Sequence, residues 1–289
     1  MAQKRKVDPL SIRILIEIGV LVTILILLLV FIGLVWSGIG GSEGETTGSA
    51  PSQSDYSEPV ETTPPDTSPD GLINTFVAEN GLSRSDYPDW LIENFYIASE
   101  SRDFLLNYPF KYGTPQEVDI SGVERDTVPL FIQWDDRWGY LDYGTNICGI
   151  SGCGPTSLSM VAYYWTGDAK YTPVYMMQFA KDGGHVISTG GTDWSLFGTG
   201  AKDLGFEVEQ LPAVEKTVAK RLQAGIPVVV NVGPGTFTTG GHYMVLVGYE
   251  DGMFRINDPN SPEKSERLWA WDEFQDQVRN FWAISLPEK

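Results

Sequence analysis

A chain of 289 residues with 42% hydrophobic content and nine Trp is long and apolar enough for one or two packed cores. Its formal charge of −18 provides no basic stripe to displace counterions from phosphates, which argues against nucleic acid as a partner. Two cysteines (Cys148, Cys153) and two histidines (His185, His242) are too few for a disulfide framework and lack zinc-ligand spacing, so no metal and no cofactor is expected.

In chain order, residues 1–13 form a basic tail carrying Lys4, Arg5, Lys6 and Arg13, expected on the cytoplasmic side. Residues 14–37 contain an uncharged apolar run from Ile18 to Trp36, about 19 residues, long enough to span a bilayer as one helix. A cleaved signal peptide is the competing reading, but such apolar cores are shorter and no A-x-A site follows. Residues 38–70 are Gly, Ser, Thr, Pro and acid. This composition predicts a disordered tether with an r.m.s. reach of about 30 Å. Residues 71–118 carry a helical apolar stripe (Trp90, Leu91, Phe95, Ala98, Phe104, Leu105) that Pro88 can open, a lead-in packed on the main domain. Residues 119–289 alternate short strands and helices without internal repeats and form the principal domain.

Two segments carry chemistry. In Gly152-Cys153-Gly154-Pro155-Thr156-Ser157 the glycines allow a tight turn around the thiol, and Pro155 suits the first position of a helix. Leu158, Val161, Ala162 and Trp165 continue that helix at i, i+3, i+4 and i+7, and Gly167 is placed to stop it. A cysteine at such an N-terminus meets the positive end of the helix dipole, which favours the thiolate. A small buried residue capping a core helix is the plainer alternative. In Gly240-Gly241-His242 and the apolar run to Tyr249, a histidine sits at the mouth of a buried strand. Phe254 to Asp258 reads as the returning strand. A two-residue turn at Asp251-Gly252 would put His242 and Asp258 on opposite faces. A three-residue loop with Gly252 left-handed pairs Tyr249 with Met253 and Met244 with Asp258, placing Asp258 diagonally from His242 on one face. The longer loop is therefore predicted, with His242 as base and Asp258 as its orienting carboxylate. His185 follows Asp182-Gly183-Gly184 and has no carboxylate placed to orient it, so it is read as surface or substrate-loop decoration. Cys148 is either an inert neighbour or a disulfide partner able to switch Cys153 off. Gly190-Gly191-Thr192-Asp193-Trp194 reads as a loop into a helix capped by Thr192 or Asp193, at the edge of a substrate cleft.

Val128 to Gly139 (VPLFIQWDDRWG), the Gly-Cys-Gly-Pro-Thr-Ser segment, Gly241-His242-Tyr243 and Asn257-Asp258-Pro259-Asn260-Ser261 resemble the extracellular relatives of the bacteriocin-leader peptidases, the peptidase C thirty-nine-like family. The resemblance spans residues 128–285, and Tyr87-Pro88 and Phe104 to Pro109 are similar to the helical lead-in of such proteins. It implies an α+β, papain-like fold in which a helix bears the nucleophile Cys153 against an antiparallel sheet bearing His242 and Asp258. It further implies that Gln133 donates to an oxyanion. The leader peptidases proper cut after a double glycine and are fused to ABC transporters. Here one spanning helix and no nucleotide-binding motif are read, so double-glycine specificity does not carry over.

The expectation is a membrane-anchored, extracytoplasmic cysteine peptidase acting on a peptide or protein through a Cys-His-Asp triad and a thioacyl-enzyme. Cell-wall association and a role as wall-peptide amidase or endopeptidase stand beside it, as do a transglutaminase-like acyl transferase and a catalytically idle binding module.

Overall fold

The computed structural model describes residues 66–287 apart from Ala98 and Pro115. The expected basic tail, membrane anchor and most of the linker lie outside the described residues. Among those described, no helix is long and apolar enough to cross a membrane.

Helix α1 (Pro69–Glu79) starts two residues inside the expected linker. The cause is local: Ser68 Oγ accepts from Gly71 N–H at 3.1 Å and Pro69 occupies the first turn, a complete N-terminal signal. Then come α2 (Asp89–Ile97), α3 (Arg102–Leu106) and α4 (Tyr108–Lys111). Their buried side chains Ile73, Leu91, Phe95, Phe104 and Leu105 share one cluster with Tyr140 and Ile147 of the principal domain. The Phe104 and Tyr140 rings stack at 4.1 Å, and Tyr140 O–H donates to the Phe104 carbonyl at 2.8 Å. The side chains of the lead-in thus share a core with Tyr140 and Ile147.

A small hairpin, β1 (Asp142–Tyr143) with β2 (Asn146–Ile147), leads into a helical turn, α5 (Cys148–Ser151), and then into α6 (Cys153–Thr166). Next are α7 (Pro173–Asp182), β3 (Glu207–Leu211), α8 (Glu215–Gln223), β4 (Val228–Val232), β5 (His242–Glu250), β6 (Met253–Asn257), α9 (Pro262–Glu266), β7 (Leu268–Ala270) and β8 (Val278–Ser285). Six strands form one antiparallel sheet in the order β3-β8-β4-β5-β6-β7. Both faces are covered. Leu158, Val161 and Ala162 of α6 pack with Tyr243, Val245, Trp282 and Ile284 on one face. Val218 and Leu222 of α8 pack with Met244, Leu246, Ile256 and Phe281 on the other. Central strand β4 is buried along its whole length, which its unbroken Val-Val-Val run requires.

Helix α6 ends at left-handed Gly167 (φ 65°), as predicted, but begins at Cys153, so Pro155 is its third residue and not its first. The preceding turn α5 already has helical direction and carries the chain straight into α6. The flanking glycines serve close approach and not a left-handed turn: Gly152 has φ −85°. A Cβ on Gly152 would lie 2.4 Å from Cys148 Sγ, and one on Gly154 2.4 Å from Thr192 Oγ1. Thr192 cannot retreat, because its hydroxyl bonds Tyr143 Oη at 2.8 Å and its carbonyl accepts from Tyr243 O–H at 2.9 Å. Gly154→Ala is therefore expected to destabilise the fold by about 1–3 kcal/mol, read as a lowered midpoint in denaturant melts.

Candidate active site

Strands β5 and β6 are joined by a two-residue turn in which both central residues have positive φ, Asp251 at 51° and Gly252 at 83°. Glu250 pairs with Met253, Tyr249 with Phe254 and Gly248 with Arg255. This corrects the predicted three-residue loop: Asp-Gly favours the tight turn whose twist matches the strands. The register then shifts between Leu246 and Gly248, so that Leu246 pairs with Ile256 and Val245 with Asn257. The extra residue, Val247, forms a β-bulge and restores the phase that the longer loop would have set. As a result Asp258, just beyond β6, reaches His242 at the start of β5. His242 Nε2 lies 2.7 Å from Asp258 Oδ1.

The pair is buried and well supported. Asp258 Oδ1 also accepts from Asn260 N–H at 2.8 Å, and Asp258 N–H donates to Ser265 Oγ at 2.9 Å. The His242 carbonyl accepts from Asn231 Nδ2 at 3.1 Å, and Asn231 Oδ1 accepts from exposed Trp194 Nε1 at 3.1 Å. Burial by itself pulls the His242 pKa down from 6.5. The Asp258 carboxylate and its hydrogen bond, with the adjoining Cys153 side chain, outweigh that and carry it up to about 10. At neutral pH the imidazole is accordingly protonated. With Nε2 given to Asp258, Nδ1 is the nitrogen left for the thiol.

Cys153 and His242 line a cleft of about 410 Å³ together with Gln133. Helix α6 places the half-buried thiol and strand β5 the imidazole, on elements locked together through the packing of α6 against Tyr243 and Val245. Gln133 Nε2 donates to the Gly149 carbonyl at 3.0 Å and the Ile150 carbonyl at 3.3 Å, in the turn preceding Cys153. Its backbone N–H donates to the Pro259 carbonyl at 2.7 Å. Gln133 thus ties the turn before Cys153 to the loop of Asp258. All four residues singled out from the sequence, Cys153, His242, Asp258 and Gln133, come together in one place.

The other Cys and His do not join the cleft. Cys148 is fully buried and unbridged, and burial pushes its thiol up to about 12. The structure thus favours the inert reading over the disulfide switch. Iodoacetamide on the native chain is expected to modify Cys153 and leave Cys148 untouched until unfolding, as read by peptide mass mapping; prior modification of Cys148 would contradict this. His185 is no surface decoration: it is 6% exposed, Nδ1 bonds Ser195 Oγ at 2.8 Å, and its ring lies 5.9 Å from that of Phe179. It ties the turn after α7 to Ser195, whose N–H donates to Asp193 Oδ1 at 2.8 Å. A histidine among glycines carries no sequence signal of such burial.

Further lining residues went unpredicted. Asn94 and Ile97 of α2, with Ser101 and Leu105, make one wall of the cleft, while Asn260 and Lys264 contribute beside His242. Glu100, in the lead-in, accepts from the Ser261 hydroxyl and from Glu263 N–H (3.0 Å), fastening that wall to the loop of Asp258. These partners are about 160 residues apart, beyond any spacing rule. Only the lead-in's apolar stripe hinted that it would dock.

No curated protein matches the chain. Among solved structures it is similar to the peptidase domain of Streptococcus ComA, a bifunctional ABC transporter of a quorum-sensing pathway, with 22% identity and a TM-score of 0.40 over 55% of this chain and 99% of that one. It is also similar to a protein from Bacillus anthracis described as a C39-like peptidase, with 20% identity and a TM-score of 0.35 over 60% and 100% of the two chains. The profile of the Peptidase_C39 like family matches residues 125–285, more than half of the sequence and the whole segment that carries the cleft residues of the principal domain. The chain belongs to the Peptidase_C39 like family.

Proposed function

We propose that the chain is a cysteine peptidase in which Cys153, His242 and Asp258 act as a triad. The observation that carries this reading is the buried His242–Asp258 contact of 2.7 Å beside a half-buried thiol in a shared cleft. Cys153 Sγ is the nucleophile and the imidazole beside it carries the proton. Attack of Sγ on a peptide carbonyl forms the C–S bond, and collapse of the tetrahedral intermediate breaks the C–N bond while His242 protonates the leaving amine. His242 then takes a proton from water as that water attacks the thioester, releasing the acid and regenerating the thiol. Asp258 holds the ring orientation throughout. The Cys153 backbone N–H and the Gln133 side-chain amide are the proposed oxyanion donors, and Gln133 swings a donor from the Ile150 carbonyl, its longer contact at 3.3 Å, to do so.

The apolar stretch from Ile18 to Trp36 and the polar linker after it support a single-pass anchor with the catalytic domain outside the cytoplasm. Incubating the full chain with a mixed peptide library and sequencing the products tests the hydrolase reading. New peptide termini that are absent with Cys153→Ala are expected. Intact peptides with both chains would contradict it and favour a binding module.

A further inference from the structure

The chain has 38 acidic residues against 20 basic ones, yet the wall of the cleft carries Lys264 and no carboxylate. Such depletion against the global balance concentrates positive potential where a substrate enters, since a low-dielectric cleft focuses the field of its few charges. The backbone of Lys264 is fixed: its main-chain N–H donates to Ser261 Oγ at 3.1 Å, and its carbonyl accepts from Trp269 Nε1 at 2.9 Å. Its ammonium lies 6.0 Å from the ring of Phe237, which packs on Trp269 at 4.6 Å. Among the described residues the ammonium makes no ion pair. The nearby Glu100 carboxylate is committed to the Ser261 hydroxyl and the Glu263 amide. A half-buried cation with no ion-pair partner among the described residues, in a wall without carboxylates, suits an anion.

We propose that Lys264 is a specificity-determining residue that binds a carboxylate of the peptide substrate, with the polar side chains of Asn94 and Ser101 lining the same cleft from the lead-in. This rests on the peptidase reading for the identity of the substrate and on the geometry of the cleft for its charge. An acidic side chain and a peptide's terminal carboxylate share the required chemistry.

The test uses the full chain and two alkylating reagents of nearly equal size, anionic iodoacetate and neutral iodoacetamide, reading modification of Cys153 by mass. Lys264→Met is expected to lower the iodoacetate-to-iodoacetamide rate ratio about three- to tenfold, and Lys264→Glu more. Unchanged ratios would overturn the proposal. So would an equal loss with both reagents, which marks a structural residue. The ratio does not require turnover. A Cys153 that reacts no faster than a free thiol therefore counts against the peptidase reading, while the ratio still decides the role of Lys264. Peptides acetyl-Ala-Ala-X-Ala-Ala then separate the sources by protecting Cys153 from iodoacetamide. Better protection by X = Glu amide than by X = Gln amide assigns a side chain, and better protection by X = Gln acid assigns the terminus. No preference for either carboxylate over the neutral peptide overturns the proposal.

Discussion

Replacing Cys153 with alanine is expected to lower peptide hydrolysis by at least about 10³–10⁴-fold while leaving the melting temperature within a few degrees. Loss on this scale follows from the covalent route, because without a thiolate no thioester forms and water must attack the peptide directly. The structural cost is small because the side chain is only half-buried and lines the cleft. Helix α6 does not need the sulfur: its anchorage comes from the fully buried Leu158, Val161 and Ala162, and from Gly154 seated against Thr192. A steady-state assay beside a thermal melt separates the two effects. Hydrolysis undiminished in a folded Cys153→Ala chain would place the nucleophile elsewhere.

The second large effect is expected from Asp258→Asn, which keeps the shape of the side chain and removes its charge. The carboxylate is the largest of the influences that raise the His242 pKa to about 10, against the downward pull of burial. Without it, burial prevails and the imidazole becomes neutral near pH 7. The expected result is a fall in kcat/KM of about 10²–10⁴-fold at neutral pH. The alkaline limb of the pH profile should also move down from near 10 toward or below 6.5. Stability carries the same signature. Since the pKa rises on folding, protonated His242 stabilises the native state fully below pH 6.5, and the contribution is lost as pH climbs through about 10. Wild type should therefore lose more of its melting temperature between pH 6 and 10 than Asp258→Asn does. Equal losses in both chains would show that the pair does not couple as described.

Much of this site could be read in advance, for identifiable reasons. A chain with two cysteines and two histidines leaves few combinations, and the Gly-Cys-Gly-Pro run and the apolar strand after His242 select one of them. What was hidden lies in pairing between segments. The bulge at Val247 leaves no local mark, because whether a strand accommodates an extra residue depends on its partner. The sheet supplies the phase that Asp258 requires through this bulge and not through a longer loop. Similarly, Gly152 and Gly154 looked like turn formers, whereas their use is to admit Cys148 and Thr192 at close range. The lead-in's role as a cleft wall, through Asn94 and Ser101, depends on where it docks, which its apolar stripe does not specify.

The most direct test of the triad is the rate at which a peptide-based electrophile that targets cysteine peptidases labels the full chain at neutral pH, with the site found by mass spectrometry. Labelling at Cys153 is expected at least about 100-fold faster than at an unfolded-state thiol, strongly reduced by His242→Ala and leaving Cys148 unmodified. Labelling of Cys153 at the rate of a free thiol, unaffected by His242→Ala, would contradict it.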